Sequence, residues 1–381
     1  MQNVEFIPIR YALSIGSRAF DKKLATVFFS YYYISNNVNV YVRGVMAINY
    51  TIKDVAKKVN VSIATVSRVL NGQGGYSKAT EEKVLLAIKE LGYQPNAFAR
   101  GLINNKSNTV AILFPEVSSQ FSSKILRGVE EAVHAFGSSV IVCNTASHGQ
   151  RTMKYLDLLA EKRIDGILFV SEIITKEYYQ KLESMKIPVV LIATESYLYP
   201  LPFVKVDDKH AAFTATNYLI KKGHTKIGMI SGNKEDLIAG QPRIDGYKQA
   251  MLSRGFPVNE ENIVYGKGFS FEDGLNSLPL LLKQFTDLTA VFAASDAIAM
   301  GAISAAYKLG IRIPHELSIV GYDNLPIAEM SIPPLTTVAQ PLEEMGSVAA
   351  NILFSMMKSA QNGESRIMPH SMIERETVRH L

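Results

Sequence analysis

The sequence predicts an N-terminal all-α helix-turn-helix head followed by an α/β body of two Rossmann-like parallel sheets. Three observations carry this. Residues 51–72, TIKDVAKKVNVSIATVSRVLNG, repeat apolar side chains at helical spacing on both sides of a short polar turn. From residue 107 onward, short apolar strands alternate with amphipathic helical stretches, the pattern of doubly wound sheets. Those strands fall into two consecutive sets, which implies two lobes with a cleft between them. At 381 residues the chain is also too long for one ordinary core.

Residues 1–45 show no sustained period. Their longest apolar run, Leu24–Ile34, has eleven residues and five hydroxyls, too short to span a bilayer, and no small-residue cleavage site follows it. Met46 opens MAINYTIKDVA, which reads as a natural start, so residues 1–45 are expected to be a non-functional or disordered upstream extension. The single cysteine, Cys143, rules out an internal disulfide framework and fits a reducing cytoplasm. It lies in the apolar run SSVIVCNT and reads as a buried structural thiol. Charge is uneven. Residues 46–106 hold nine Lys/Arg against four Asp/Glu, whereas residues 107–381 hold 26 against 29. A basic module on a mildly acidic body suits a phosphate-binding head.

In the head (46–94), Thr51 can cap a first helix, with Asp54 near the positive end of its dipole. Ile52, Val55, Ala56 and Val59 form its apolar face, and Asn60-Val61 makes the turn. Ser62 caps a second helix running to about Leu70, closed by Asn71-Gly72. A third runs from about Lys78 to Leu91. On the second helix Val66, Val69 and Leu70 face inward, leaving Ala64, Ser67 and Arg68 outward with Ile63 at the edge. That is the layout of a helix entering the major groove by its N-terminal residues. Arg68 suits a bidentate fork on guanine, and Ile63 and Ala64 offer apolar contact to thymine methyls. Ser62, Thr65, Asn71, Ser77 and Thr80 are placed to hydrogen-bond phosphates. Ser62, Ser77 and Thr80 also serve simply as helix caps, and the two roles are compatible.

In the body, candidate strands are TVAILFP, SSVIVCN, GILFVS, PVVLIAT and FVKVDD. After a helix at His210–Lys222 come KIGMISG, NIVYG, AVFAAS and LSIVGYD. Ligands in such sheets sit at the carboxyl ends of strands. Arg243, Asp296 and Asp323 follow KIGMISG, AVFAAS and LSIVG, and a guanidinium beside carboxylates suits a polyol. Phe121, after TVAILFPEV, is an aromatic face for a sugar ring or a packing residue. Asp296 as a helix cap and Asp323 as a turn residue are the plainer alternatives. The loops Thr145–Arg151 and Thr194–Leu201 would set ligand identity.

TIKDVAKKVNVSIATVSRVLNG followed by KVLLAIKELGYQPNAFARGL closely resembles the LacI/GalR family of bacterial regulators, and the resemblance continues from Thr51 to the C-terminus. Ile63-Ala64 is similar to the catabolite-control branch. The resemblance implies a two-lobed, periplasmic-binding-protein-like body over 107–381. Lobe one would span about 107–207 and 338–365, and lobe two about 208–337 and 366–381. It makes Thr51 part of the DNA-binding set. It makes residues 95–106, with Asn96, a hinge helix and linker, and Leu102 a minor-groove wedge. It places Arg243, Asp296, Asp323 and Gln340 in the effector cleft, Gln340 at the return crossover. The hinge is too short to be stable alone and should order only on DNA with its symmetry mate; the plainer reading packs Phe98 and Leu102 on the body.

The implied function is a homodimeric, cytoplasmic repressor of carbohydrate-utilisation genes on a palindromic double-stranded DNA operator. A sugar or sugar-phosphate effector would control it, without a cofactor, metal or membrane. A phosphocarrier protein docking on Ser122–Phe136 is a further partner to consider. A sugar-binding transport protein would share the body, but the head argues against it. An enzyme using Asp207, Asp208 or a histidine has no supporting motif.

Overall fold

The computed structural model describes residues 50–93, 107–146, 149–359 and 362–381, together with the backbone of 28–35 and 38–45. The chain divides into two compact units, Met1–Asn96 and Ala97–Leu381.

In the first unit, strands β1 (Phe28–Ser35) and β2 (Val38–Val45) pair as an antiparallel hairpin. Regular pairing was not expected there. The two segments are rich in the aromatic and β-branched residues that favour strands, and only the dipeptide Asn36-Asn37 separates them in sequence.

The head is three helices: α1 (Ile52–Val59), α2 (Ile63–Asn71) and α3 (Lys78–Leu91). Each ends on a left-handed residue, Asn60, Gly72 and Gly92, at φ of 53°, 63° and 62°. At Asn60 this closes the turn into α2, a conformation asparagine tolerates better than most residues. Val55, Ala56, Val66, Val69, Val84 and Ala87 are buried together, one pair from each helix.

Lobe one of the second unit is a parallel sheet of β3 (Thr109–Phe114), β4 (Ser139–Asn144), β5 (Gly166–Val170), β6 (Val189–Ile192) and β7 (Phe203–Val206). Helices α4 (Gln120–Ala135), α5 (Thr152–Glu161) and α6 (Lys176–Met185) alternate with its strands. After α7 (Asp208–Lys221), lobe two repeats the plan with β8 (Ile227–Ser231), α8 (Gly240–Ser253) and β9 (Ile263–Tyr265). It continues through α9 (Phe271–Gln284), β10 (Ala290–Ala293), α10 (Asp296–Lys308) and β11 (Ser318–Asp323). The last elements are α11 (Pro326–Met330), β12 (Thr336–Ala339), α12 (Leu342–Ser359), β13 (Arg366–Met368) and β14 (Ser371–Ile373).

The sheet orders are β13-β7-β6-β5-β3-β4 and β14-β12-β11-β10-β8-β9. Both contain the 2-1-3-4-5 order of doubly wound folds. The strand order therefore reverses between β3 and β5 in lobe one, and between β8 and β10 in lobe two. In folds of this kind ligands bind at the carboxyl ends of those pairs.

The return to lobe one, expected at about residue 338, comes after Ala339, because β12 pairs in parallel with β11. One expected boundary moves. Strand β13 pairs with β7, so residues 366–368 belong to lobe one, and only β14, antiparallel to β12, returns to lobe two. Both strands are short. In β12 the inward-facing Thr336 and Thr337 are buried polar residues, which hides the apolar signature of a central strand.

Cys143 is buried, and burial pushes its thiol up to about 11, as befits an inert core residue. Helices α4 and α12 cross at glycines. A Cβ on Gly128 would fall on the Glu343 carbonyl, and one on Gly346 on the Ile125 carbonyl. Backbone-to-backbone approach leaves nothing that can move aside. Gly128→Val is therefore expected to cost lobe one about 3 kcal/mol, read as a lowered urea midpoint; an unchanged midpoint would refute the close crossing.

Candidate functional site

The described head carries the features of a DNA-reading surface. Val66 and Val69 fix the roll of α2 by burying one face. The opposite side exposes Ile63, Ala64 and Arg68, with Ser67 partly covered. Ile63 is a large aliphatic side chain left 44% exposed at the start of the helix, where an apolar base contact would be made. Arg68 has no hydrogen bond or ion pair among the described residues, so its five donors are free.

The polar candidates do cap. Ser62 Oγ accepts from Thr65 N at 3.0 Å, and Ser77 Oγ from Thr80 N at 3.2 Å. The Thr65 and Thr80 hydroxyls lie 2.9 Å from those cap oxygens. Thr51 donates through N and Oγ1 to Asp54 Oδ2 at 2.8 and 2.7 Å, which lowers the Asp54 pKa. Asn71 Nδ2 donates to the Ser67 carbonyl at 2.9 Å. A phosphate oxygen only accepts, so contact needs a free proton: the Ser62–Thr65 and Ser77–Thr80 hydroxyl pairs each keep one, whereas the Thr51 hydroxyl would have to leave Asp54 to donate. Asn96, Leu102 and the rest of the expected hinge lie outside the described residues.

The residues expected to bind an effector gather at the carboxyl ends of the lobe-two strands. Asp207 Oδ1 caps α7 by accepting from His210 N at 2.9 Å, which positions Asp208 in the first turn. Arg243, in the first turn of α8, donates from Nε and Nη2 to Asp208 Oδ1 at 3.0 and 2.9 Å, and from Nη1 to the Ala294 carbonyl at 2.6 Å. That carbonyl lies just beyond β10, at the point of strand reversal. Tyr322 OH donates to the same Asp208 oxygen at 3.1 Å, and the Arg243 guanidinium lies 3.8 Å from the Tyr322 ring centroid and 5.4 Å from that of Phe269. Burial alone would lower the Arg243 pKa, but Asp208, Tyr322 and Asp323 outweigh it and raise it. The guanidinium is thus permanently charged. Three of its five N–H groups are engaged, which leaves two for a ligand.

Asp323 ends β11 at φ 113°, a conformation that L-residues rarely adopt. Such strain persists where the surroundings over-determine it, commonly at ligand sites. Its Oδ1 accepts from Gln340 Nε2 at 2.7 Å, which joins the two expected site residues directly. Asp296 is not a cap: Ser295 caps α10, and Asp296 Oδ2 instead accepts from Leu325 N at 2.7 Å, while Oδ1 accepts from Thr337. Burial, then the neighbouring Asp323, raises the Asp296 pKa; burial raises that of Asp323 too, against Arg243 and Gln340. Arg243, Asp296, Asp323 and Gln340 therefore belong to one buried cluster. Phe121 sits apart from it, half-buried against the lobe-one core at the start of α4.

Sequence reasoning missed several members. Asp208 lies two residues beyond β7, so the carboxyl-end rule was able to find it, yet it was weighed only as a catalytic acid or base. Tyr322 and Thr337 lie inside strands and carried no signal. Ser231, the last residue of β8, is buried with its hydroxyl unpartnered. In lobe one, Glu172 accepts from Thr145 Oγ1 at 3.0 Å and Thr152 Oγ1 at 2.6 Å. This anchors both ends of the loop expected to set ligand identity. Burial raises the Glu172 pKa despite those bonds.

A family model described as bacterial regulatory proteins, lacI family, matches residues 51–96, and one for a periplasmic binding protein-like domain matches residues 216–378. Catabolite control protein A of Priestia megaterium is 35% identical over 332 residues, covering 87% of this chain and 100% of that protein. This chain belongs to the lacI family of bacterial regulatory proteins. Among solved structures, a transcriptional regulator CelR–cellobiose complex aligns with a TM-score of 0.66 and 31% identity, over 86% of this chain and 100% of that one. A lac repressor dimer bound to operator and the anti-inducer ONPF aligns with a TM-score of 0.78, over 87% of this chain and 100% of that one. At 24% identity it speaks for the fold alone. As a lacI-family protein, the chain is a DNA-binding transcriptional regulator with an effector-binding body, and its family is one of regulators rather than enzymes. Among the described residues no helix is long and apolar enough to cross a membrane.

Two outcomes are expected from the cleft. Arg243→Ala strands Asp208 in the interior and should cost about 3–5 kcal/mol. Arg243→Ala combined with Asp208→Asn should recover part of that in denaturant unfolding; equal losses would show the pair uncoupled. For Asp296, a folded pKa above the unfolded one means its contribution is complete below the unfolded value and is lost as pH rises through the folded one. Wild-type stability should therefore fall from weakly acid to alkaline pH. Asp296→Asn should flatten that fall, and parallel pH profiles would contradict the assignment.

Proposed function

We propose that this regulator represses carbohydrate-utilisation genes, binding a palindromic operator as a homodimer and releasing or tightening it when a sugar or sugar derivative enters the cleft between the lobes. The observation that carries the reading is the buried Arg243–Asp208–Asp323–Gln340 cluster at the point of strand reversal, in the chain that also carries the head. A guanidinium with two spare donors beside carboxylate oxygens matches paired hydroxyls of a polyol, and an apolar ligand would leave these groups unpaired. Cellobiose, named for the CelR complex, and ribose, named for an operon repressor of Halalkalibacterium halodurans 35% identical to this chain, support a sugar effector.

The mechanism is a population shift. A ligand that prefers one angle between the lobes biases the spacing of two paired heads, and the operator reads that spacing. Asn96 and Leu102 would couple body to head as hinge and wedge. Thr51, Ser62, Thr65, Asn71, Ser77 and Thr80 would hold phosphates, and Ile63, Ala64, Ser67 and Arg68 would face the bases. Residues 1–45 would take no part in recognition. A DNA-bound role places the protein in the cytoplasm.

DNase footprinting with the full chain should protect a two-fold symmetric site. Arg68→Ala should lose about 1–3 kcal/mol of operator discrimination while keeping its binding to nonspecific DNA. Equal losses on both DNAs would reduce Arg68 to a phosphate contact, and an asymmetric footprint would contradict the dimer.

A further inference from the structure

The amino edge of the lobe-one sheet carries a hollow that the cleft mechanism does not use. It has a volume of about 490 Å³, within the range of small-molecule sites. Leu159, Ile164, Met185, Ile187, Pro188 and Met357 supply its apolar lining, and Arg163, Asp165 and Lys186 its charges. Arg163 follows the end of α5 at φ 51°, and Lys186 closes α6 at φ 54°. Both are non-glycine residues held in the left-handed region. Both are exposed, and neither side chain has a hydrogen-bond or ion-pair partner among the described residues.

The one lining carboxylate does not neutralise them. Asp165 Oδ1 accepts from Ser107 N at 3.0 Å and Oδ2 from Thr109 N at 3.3 Å, so both oxygens are committed to backbone amides. Two uncompensated cations over a partly exposed apolar floor suit a molecule that is anionic at one end and apolar along its body. Because strands begin at this edge and end at the cleft, the hollow is a separate site.

We propose that this hollow is a second ligand site, taking a small organic anion with an apolar tail. The probe is octanoate, titrated calorimetrically into the full-length protein, with acetate and octylamine as controls. Octanoate should bind saturably, one per chain, and acetate and octylamine should not. Arg163→Ala with Lys186→Ala should weaken octanoate binding at least about tenfold. Both side chains are exposed, so the double variant should keep the wild-type unfolding midpoint, which circular dichroism checks. Unchanged octanoate affinity in the double variant, or equal binding of octylamine, would overturn the proposal. Loss of octanoate binding in Arg243→Ala alone, under conditions where circular dichroism shows that variant folded, would place the anion in the cleft and overturn it equally.

Discussion

The buried ion pair between Arg243 and Asp208 is the constraint on which the cleft depends. Removing two charges from water is costly, and such a pair is tolerated only when its geometry and remaining hydrogen bonds are good. Here they are: three guanidinium N–H groups are satisfied, and aromatic rings flank the plane. The pair joins the start of α7, the start of α8, the carbonyl after β10 and the tyrosine of β11. Those are the elements that converge where the strand order of lobe two reverses. Asp323 is the residue after Tyr322, and Asp296 lies two residues beyond Ala294, so the pair's position sets theirs.

The two lobes use one plan with different chemistry at the equivalent place. Lobe two presents charge, a strained backbone at Asp323 and an unpartnered hydroxyl at Ser231. Lobe one presents a buried carboxyl, Glu172, whose bonds to Thr145 and Thr152 are internal and hold a loop. Under the proposed function, that asymmetry would give lobe two most of the polar recognition and lobe one a shaping role; Phe121 is half-buried at the start of α4. In the head the division of labour is simpler. Hydroxyls cap helices, a valine pair sets the roll of α2, and Ile63 and Arg68 are left over for DNA.

Much of this was legible in the chain. The head helices follow from period and capping residues, since nothing long-range competes with them over such short spans. Central strands such as Gly166–Val170 are continuous apolar runs and read plainly. Strand β12 did not, because Thr336 and Thr337 look like loop residues until Asp296 and the segment after β14 bind them. Strand β13 is three residues long, and only its partner β7 makes it a strand. Arg243, Asp296 and Asp323, expected at the site from their places after strands, do lie together in one buried cluster. The bond between Gln340 and Asp323, and the role of Asp208, depend on contacts 17 and 35 residues apart in sequence, which no local pattern encodes.

The central claim is that a ligand in the cleft between the lobes, held by the Arg243–Asp323 cluster, controls the head. It is tested most directly by measuring operator affinity for wild type and Asp323→Asn, with and without each of a panel of sugars and sugar phosphates. The account predicts that one of them shifts wild-type affinity severalfold or more, and that Asp323→Asn binds the bare operator normally but loses the shift. A full shift in Asp323→Asn, or no shift in wild type with any sugar, would contradict it.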